Sequence, residues 1–216
     1  MPAKIAPRRR RKEARPHELT AAALALFVEK GFSATRLDEI AARAGVSKGT
    51  LYLYFDSKEA LFKAVITEGV VPTIEAGEAM LAASADDPVT LLRTFLVSWW
   101  ALIGSTPLGG IPKLMMSEAG NFPALARYYD EVVIQRGHAL LRTAIQRGVD
   151  QGIFRALDPV LTSTLLVAPL VHLANWKHSF AGCCGGDIDP LAYVDAHIDL
   201  VLHGLTVRHD EQEKHS

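Results

Sequence analysis

Residues 47–54, SKGTLYLY, concentrate side chains that can contact a nucleic acid. Ser47, Lys48, Thr50, Tyr52 and Tyr54 each carry a hydrogen-bond donor suited to phosphate oxygens or base edges. Gly49 adds no side chain and lets the backbone approach a duplex closely. Upstream, Arg8, Arg9, Arg10, Arg11 and Lys12 form an unbroken cationic run. Such a run suits an arm reaching phosphates or a minor groove, and equally a solvated tail. Other chemistries find fewer residues. The chain has no nucleophile elbow, no glycine-rich phosphate loop and no acidic metal pair at helical spacing, so no catalytic residue, cofactor or metal is expected. His172 and His178, like His197 and His203, are six residues apart and point to diverging helix faces. Cys183 and Cys184 sit in AGCCGGD without an assured cationic neighbour; an inert loop pair is favoured over a thiol sensor.

Helices must position the 47–54 segment. Leu19, Ala23, Leu26 and Phe27 recur at helical spacing after Pro16, and Gly31 follows as a stop. Thr35 is the expected N-cap of a second helix running to Arg43. Gly45 supplies a tight turn, Ser47 caps a third helix through Phe55, and Asp56 or Ser57 caps a fourth that Pro72 kinks or ends. This layout is a helix-turn-helix. Ala41 is the small interhelical contact, Gly45 the turn, and Ile40, Val46, Leu51 and Phe55 the residues that lock the second helix. Farther on, Asp87-Pro88, Asp158-Pro159 and Asp189-Pro190 each join a capping carboxylate to a proline at the first helical position. They open helices over 88–103, 159–180 and 190–207, with others over 107–119 and 123–150. The expected fold is all-α, with about nine helices arranged as a small N-terminal head and a larger body.

The chain of 216 residues is 49% hydrophobic and 22% charged, which excludes disordered, collagenous and disulfide-scaffold classes. No apolar run approaches the roughly 20 residues that cross a bilayer, and no secretory leader is evident. A cytoplasmic protein without a membrane partner is expected, and two cysteines in the whole chain fit a reducing compartment. The formal net charge of −1 hides an asymmetry. Residues 1–63 hold 13 basic side chains against 7 acidic ones, and the remainder holds 10 against 17. That is a polyanion-binding head on an acidic body.

The stretch ALALFVEKGFSATRLDEIAARAGVSKGTLYLYFDSKEALF, Ala23 to Phe62, resembles the DNA-binding segment of the TetR family of bacterial transcriptional repressors. It joins an F-x-x-x-G-F-x-x-T lead-in, an I-A-x-x-A-G-V-S-K-G-T-L-Y-x-Y-F core and an S-K-E-x-L-F opening of the fourth helix. The resemblance covers the first third of the chain and implies a homodimer on a palindromic double-stranded DNA operator, released by a small-molecule effector. It places Thr35 and Arg36 near phosphates, brings Lys48, Gly49, Thr50 and Tyr52 towards bases, and makes Tyr54 and Lys58 backbone clamps. Leu53 stands where many relatives carry a polar residue, so no groove contact is assigned to it.

The family pattern implies three parts: a basic arm over 1–15, the helix-turn-helix over 16–63, and a ligand-binding and dimerisation body over 64–216. Helices 159–180 and 190–207 are more apolar than one buried face requires. Either each is wholly internal, or one side meets a second subunit through Leu166, Leu170, Leu173, Val194, Ile198, Val201 and Leu205. The family favours that seam. Phe95, Trp99, Ile103, Met115, Phe122 and Tyr128, with His172 and Trp176, are candidates for a ligand cavity, with core packing the alternative for each. The scarcity of charge among them favours an apolar effector. A DNA-binding factor with no small ligand is the alternative, with a helical enzyme a distant second.

Overall fold

The computed structural model describes residues 7–83, 87–184 and 189–207, with side chains from Arg15 onward. Helix α1 spans Pro7–Lys30 and contains Pro16. It begins earlier than expected because Arg, Lys, Glu and Ala favour helix and Pro16 removes only one backbone N–H. Arg8, Arg9, Arg10, Arg11 and Lys12 therefore lie on helical backbone; their side chains are outside the described residues. Gly31, at φ 88°, ends α1.

Helices α2 (Leu37–Arg43) and α3 (Lys48–Tyr52) are joined through Gly45, whose φ of 66° supplies the left-handed step of the turn. Ser47 Oγ accepts from Thr50 N at 3.1 Å and caps α3. The helix stops at Tyr52 instead of Phe55, because the Leu53 and Tyr54 amides turn back to the Thr50 and Leu51 carbonyls at 3.3 and 3.0 Å. For α4 (Lys58–Gly69) the capping side chain is Ser57, which accepts from Ala60 N at 3.0 Å. Thr35 does not cap α2. The cap position is Arg36, whose amide donates to Glu39 Oε2 at 3.3 Å.

Helix α5 (Val71–Ala83) follows a break at Val70 and carries Pro72 in its first turn, where the missing N–H breaks no helical bond. Pro72 thus opens a helix. Helix α6 (Pro88–Trp99) runs into a π turn, Trp100–Gly104, and the chain then bends by 87° into a short 3₁₀ segment (Pro107–Gly110) and α7 (Ile111–Glu118). Helix α8 (Pro123–Tyr129) continues through a second π turn, Asp130–Ile134, into α9 (Gln135–Asp150). Helices α10 (Pro159–Ser179) and α11 (Pro190–Leu205) complete the all-α body. All three Asp-Pro caps form: Asp87 and Asp158 accept two backbone amides each, and Asp189 accepts the Leu191 amide at 3.0 Å. Among the described residues the only β-type pairing is one isolated bridge, Phe154 with Thr206.

Two cores form. In the first, Phe27, Phe32 and Phe62 are fully buried with ring centroids 5.2–5.8 Å apart, and Phe32 meets Phe122 edge-on at 4.8 Å. Ile111, Leu114 and Leu125 join this cluster, so apolar packing runs across position 63 from head to body. The second core packs Leu91, Leu92 and Leu96 of α6 against Ala144, Ile145, Leu166, Leu170 and Ile198.

Candidate nucleic-acid interface and ligand cavity

The first turn of α3 faces solvent with Ser47, Lys48 and Gly49 exposed and Thr50 half-buried. Leu51 anchors the helix from behind, fully buried. Tyr52 is exposed, its ring 5.9 Å from Lys48 Nζ, so the cation and the phenol share one face. Leu53 is 81% exposed and carries no packing role. Tyr54 is half-buried against the head core.

Two expected phosphate contacts are engaged internally. The Thr35 side chain is buried, with its hydroxyl 2.7 Å from the Gly31 carbonyl and 3.2 Å from that of Leu26. Lys58 curls back over the Phe32 ring, 4.6 Å from its centroid, and donates to the carbonyls of Phe32, Ser33 and Thr35 at 2.6, 3.0 and 3.0 Å. Partial burial pulls its pKa below the usual lysine value, and the charges of Glu59 and Glu118 oppose that shift. Lys58 is therefore a clasp for the α1–α2 turn, not a free backbone clamp. Arg36 is exposed but forks onto Asp38 at 3.1 Å through both Nε and Nη2.

A cavity of about 550 Å³ lies in the body, walled by α5, α6, α7, the α8–α9 helix and α10. Phe95, Trp99, Ile103 and Met115 line it as expected. Phe122, Tyr128, His172 and Trp176 do not. Phe122 packs on Phe32, and Tyr128 lies under Lys63 with its hydroxyl 3.0 Å from that of Thr67. His172 and Trp176 neighbour each other at 6.5 Å, and Trp176 stacks on the exposed Phe180 at 4.8 Å. Tyr129 also lines it, as does His138, which was not anticipated. No charged side chain is among the lining residues.

The long apolar helices face differently from expectation. Leu166, Leu170, Leu173, Val194, Ile198 and Leu205 are buried in the subunit's own core, and Val201 packs half-buried against it. The six buried ones have little surface left for a partner, while Val201 keeps some. The outward apolar face consists of Leu161, Leu165, Leu191 and Leu200, all more than half exposed. Among the described residues no cluster of three or more metal-ligating side chains occurs. His178, His197 and His203 instead lie within 3.2 Å of the carbonyls of Thr106, Leu166 and Asp199.

Residues 19–65 match the model for bacterial regulatory proteins of the TetR family, and residues 90–190 match that for the C-terminal domain of AefR-like transcriptional repressors. The transcriptional regulator RutR of Escherichia coli K12 is 48% identical over 218 residues, covering 93% of this chain and 95% of the relative. The chain belongs to the TetR family. It is accordingly a DNA-binding transcriptional regulator, of a family that binds DNA operators and small-molecule effectors, typically as dimers. NicS of Pseudomonas putida, a transcriptional repressor, is 27% identical over 194 residues, with 85% of this chain and 89% of the relative covered. Among solved structures, the TetR-family regulator PfmR of Thermus thermophilus superposes with a TM-score of 0.69 at 27% identity, over 88% of this chain and 99% of that one. FadR of Bacillus subtilis in complex with stearoyl-CoA shares the fold, with a TM-score of 0.72 at 21% identity over 87% and 98% of the chains.

Proposed function

We propose that this TetR-family chain is a homodimeric cytoplasmic repressor that grips an inverted-repeat operator through α3 and lets go when a small, mainly apolar effector fills the body cavity. The observation that carries this reading is the strut between cavity and head. Met115 and Met116 of α7 line the cavity, and Glu118, at the end of that helix, is buried and accepts from the Ser33 amide of the head at 2.9 Å. The 3₁₀ segment that leads into α7 presses Leu108 against Gly69 of α4 and Gly110 against Val28 of α1, with too little room at either glycine for a Cβ. A displacement of α7 and the segment leading into it is therefore passed to α1, the α1–α2 turn and the end of α4 at once. Filling the cavity then favours whichever head placement leaves most room, which is the differential binding that shifts a two-state equilibrium. The stearoyl-CoA complex of the Bacillus subtilis regulator supports a ligand role for a body of this fold.

In this reading Ser47, Lys48, Gly49, Thr50 and Tyr52 approach the major groove, with Arg36 and Tyr54 beside the backbone and the arm Arg8–Lys12 adding phosphate contacts. Leu53 supplies an apolar surface suited to a thymine methyl group. Selection of bound duplexes from a random pool by the full chain should enrich an inverted repeat. Lys48→Ala should weaken binding to it and lower the salt slope by about one. Enrichment of no symmetric sequence, or an unchanged affinity and slope for Lys48→Ala, would contradict the assignment.

A further inference from the structure

The cavity wall is apolar except at a few points; besides the Trp99 indole N–H, a fixed donor, two of these stand out. Tyr129 is only 9% exposed, and its hydroxyl has no hydrogen-bond partner among the described residues. Burial pushes the phenol pKa far above its ordinary value, so the group keeps its proton and is a donor in waiting. On an apolar wall with no protein partner, the hydroxyl is left for a ligand atom, which the cavity has room for.

His138 is polarised by its neighbours. Ser163, itself buried, donates its single hydroxyl proton to the Val160 carbonyl at 2.9 Å. With that proton on the Val160 carbonyl, the oxygen accepts from His138 Nδ1, which lies 3.1 Å away. Burial lowers the imidazole pKa, the nearby Arg142 charge adds to that, and Asp130 opposes it, which favours the neutral ring. Nε2 is left as an acceptor with no partner among the described residues. Thr73 and Ser98 also line the cavity, but their hydroxyls rotate to donate or accept and impose no polarity.

We propose that the effector is a neutral, largely apolar molecule whose single polar head is an alcohol or an amide, accepting a hydrogen bond from the Tyr129 hydroxyl and donating one to His138 Nε2. The proposal rests on the cavity being the effector site. It excludes carboxylates, because an anion would find no cation on the wall and would meet the lone pair of Nε2.

The test uses the full chain and two matched probe series: decane, decanol, decanamide and decanoate, and naphthalene, naphthol, naphthamide and naphthoate. Calorimetry and thermal shift read binding, and fluorescence anisotropy of a selected duplex reads release. The alcohol and amide of at least one series should bind about tenfold or more tightly than the matching hydrocarbon and carboxylate. Tyr129→Phe should erase the preference over the hydrocarbon. His138→Asn, which keeps a donor for Ser163 but has no atom at the Nε2 position, should do the same, and His138→Gln should preserve it. Equal binding of hydrocarbon and amide, preference for the carboxylate, an unaltered preference in Tyr129→Phe, or no binding in either series would overturn the proposal. Preferential binding without release would sustain it while refuting effector release through this cavity. Release without head-group preference would do the reverse.

Discussion

Leu165→Glu combined with Leu200→Glu is expected to leave a folded monomer whose operator affinity has fallen by about a hundredfold or more. Both leucines face outward, 69% and 74% exposed, and neither belongs to the subunit's buried cores. Glutamates there should leave helicity and melting temperature nearly unchanged, because exposed substitutions away from special features shift stability by only about 0.5 kcal/mol. In a two-fold assembly each substitution is present twice, so four carboxylates would have to enter an apolar seam built on these leucines. Binding then loses the gain from joining two half-site readers, which is commonly 10²–10⁴-fold, on the order of several kcal/mol. Light scattering gives the mass and anisotropy the affinity. A dimeric double variant with undiminished operator binding would show that the subunits meet elsewhere.

Phe32→Ala is expected to destabilise the chain by about 3–5 kcal/mol and to abolish operator binding. The ring is fully buried, touches Phe27, Phe62 and Phe122, and supports the Lys58 ammonium on its face. Truncation leaves a cavity and removes edge-on aromatic contacts. It also strips the aromatic surface from beneath the cation that gathers three carbonyls of the α1–α2 turn. Because Phe122 belongs to the body, the loss loosens the junction as well as the head. Denaturant unfolding measures the cost. A loss below about 1 kcal/mol with operator binding intact would mean that the aromatic cluster does not hold head to body.

How much was legible in the sequence depended on the range of the forces involved. The Ser47 cap, the Gly45 turn and the three Asp-Pro caps rest on contacts within three residues, and each formed where local chemistry placed it. The side-chain fates that differed depend on distant partners. Lys58 is long enough to reach carbonyls more than 20 residues away, and its local sequence carries no sign of them. Helix α10 is apolar around most of its circumference, so periodicity could not tell its core stripe, Leu166, Leu170 and Leu173, from its outward leucines. Tyr129 and His138 illustrate a third difficulty. In an unbroken α-helix residues nine apart are separated by about two and a half turns and point in opposite directions. The π turn Asp130–Ile134 lies between them and changes the phase, and both residues line one cavity. The adjacent tyrosines 128 and 129 diverge by the ordinary step of about 100° per helical residue, one onto α4 and one into the cavity.

Hydroxyl-radical footprinting of the full chain on its selected duplex tests the central claim most directly. A two-fold dimer that reads DNA through α3 should protect two symmetric patches on one face of the helix, centred a turn of about 34–36 Å apart or a multiple of it. Both patches should fade together in Lys48→Ala. A single patch, protection spread evenly along the duplex, or a footprint unchanged in Lys48→Ala would contradict the account.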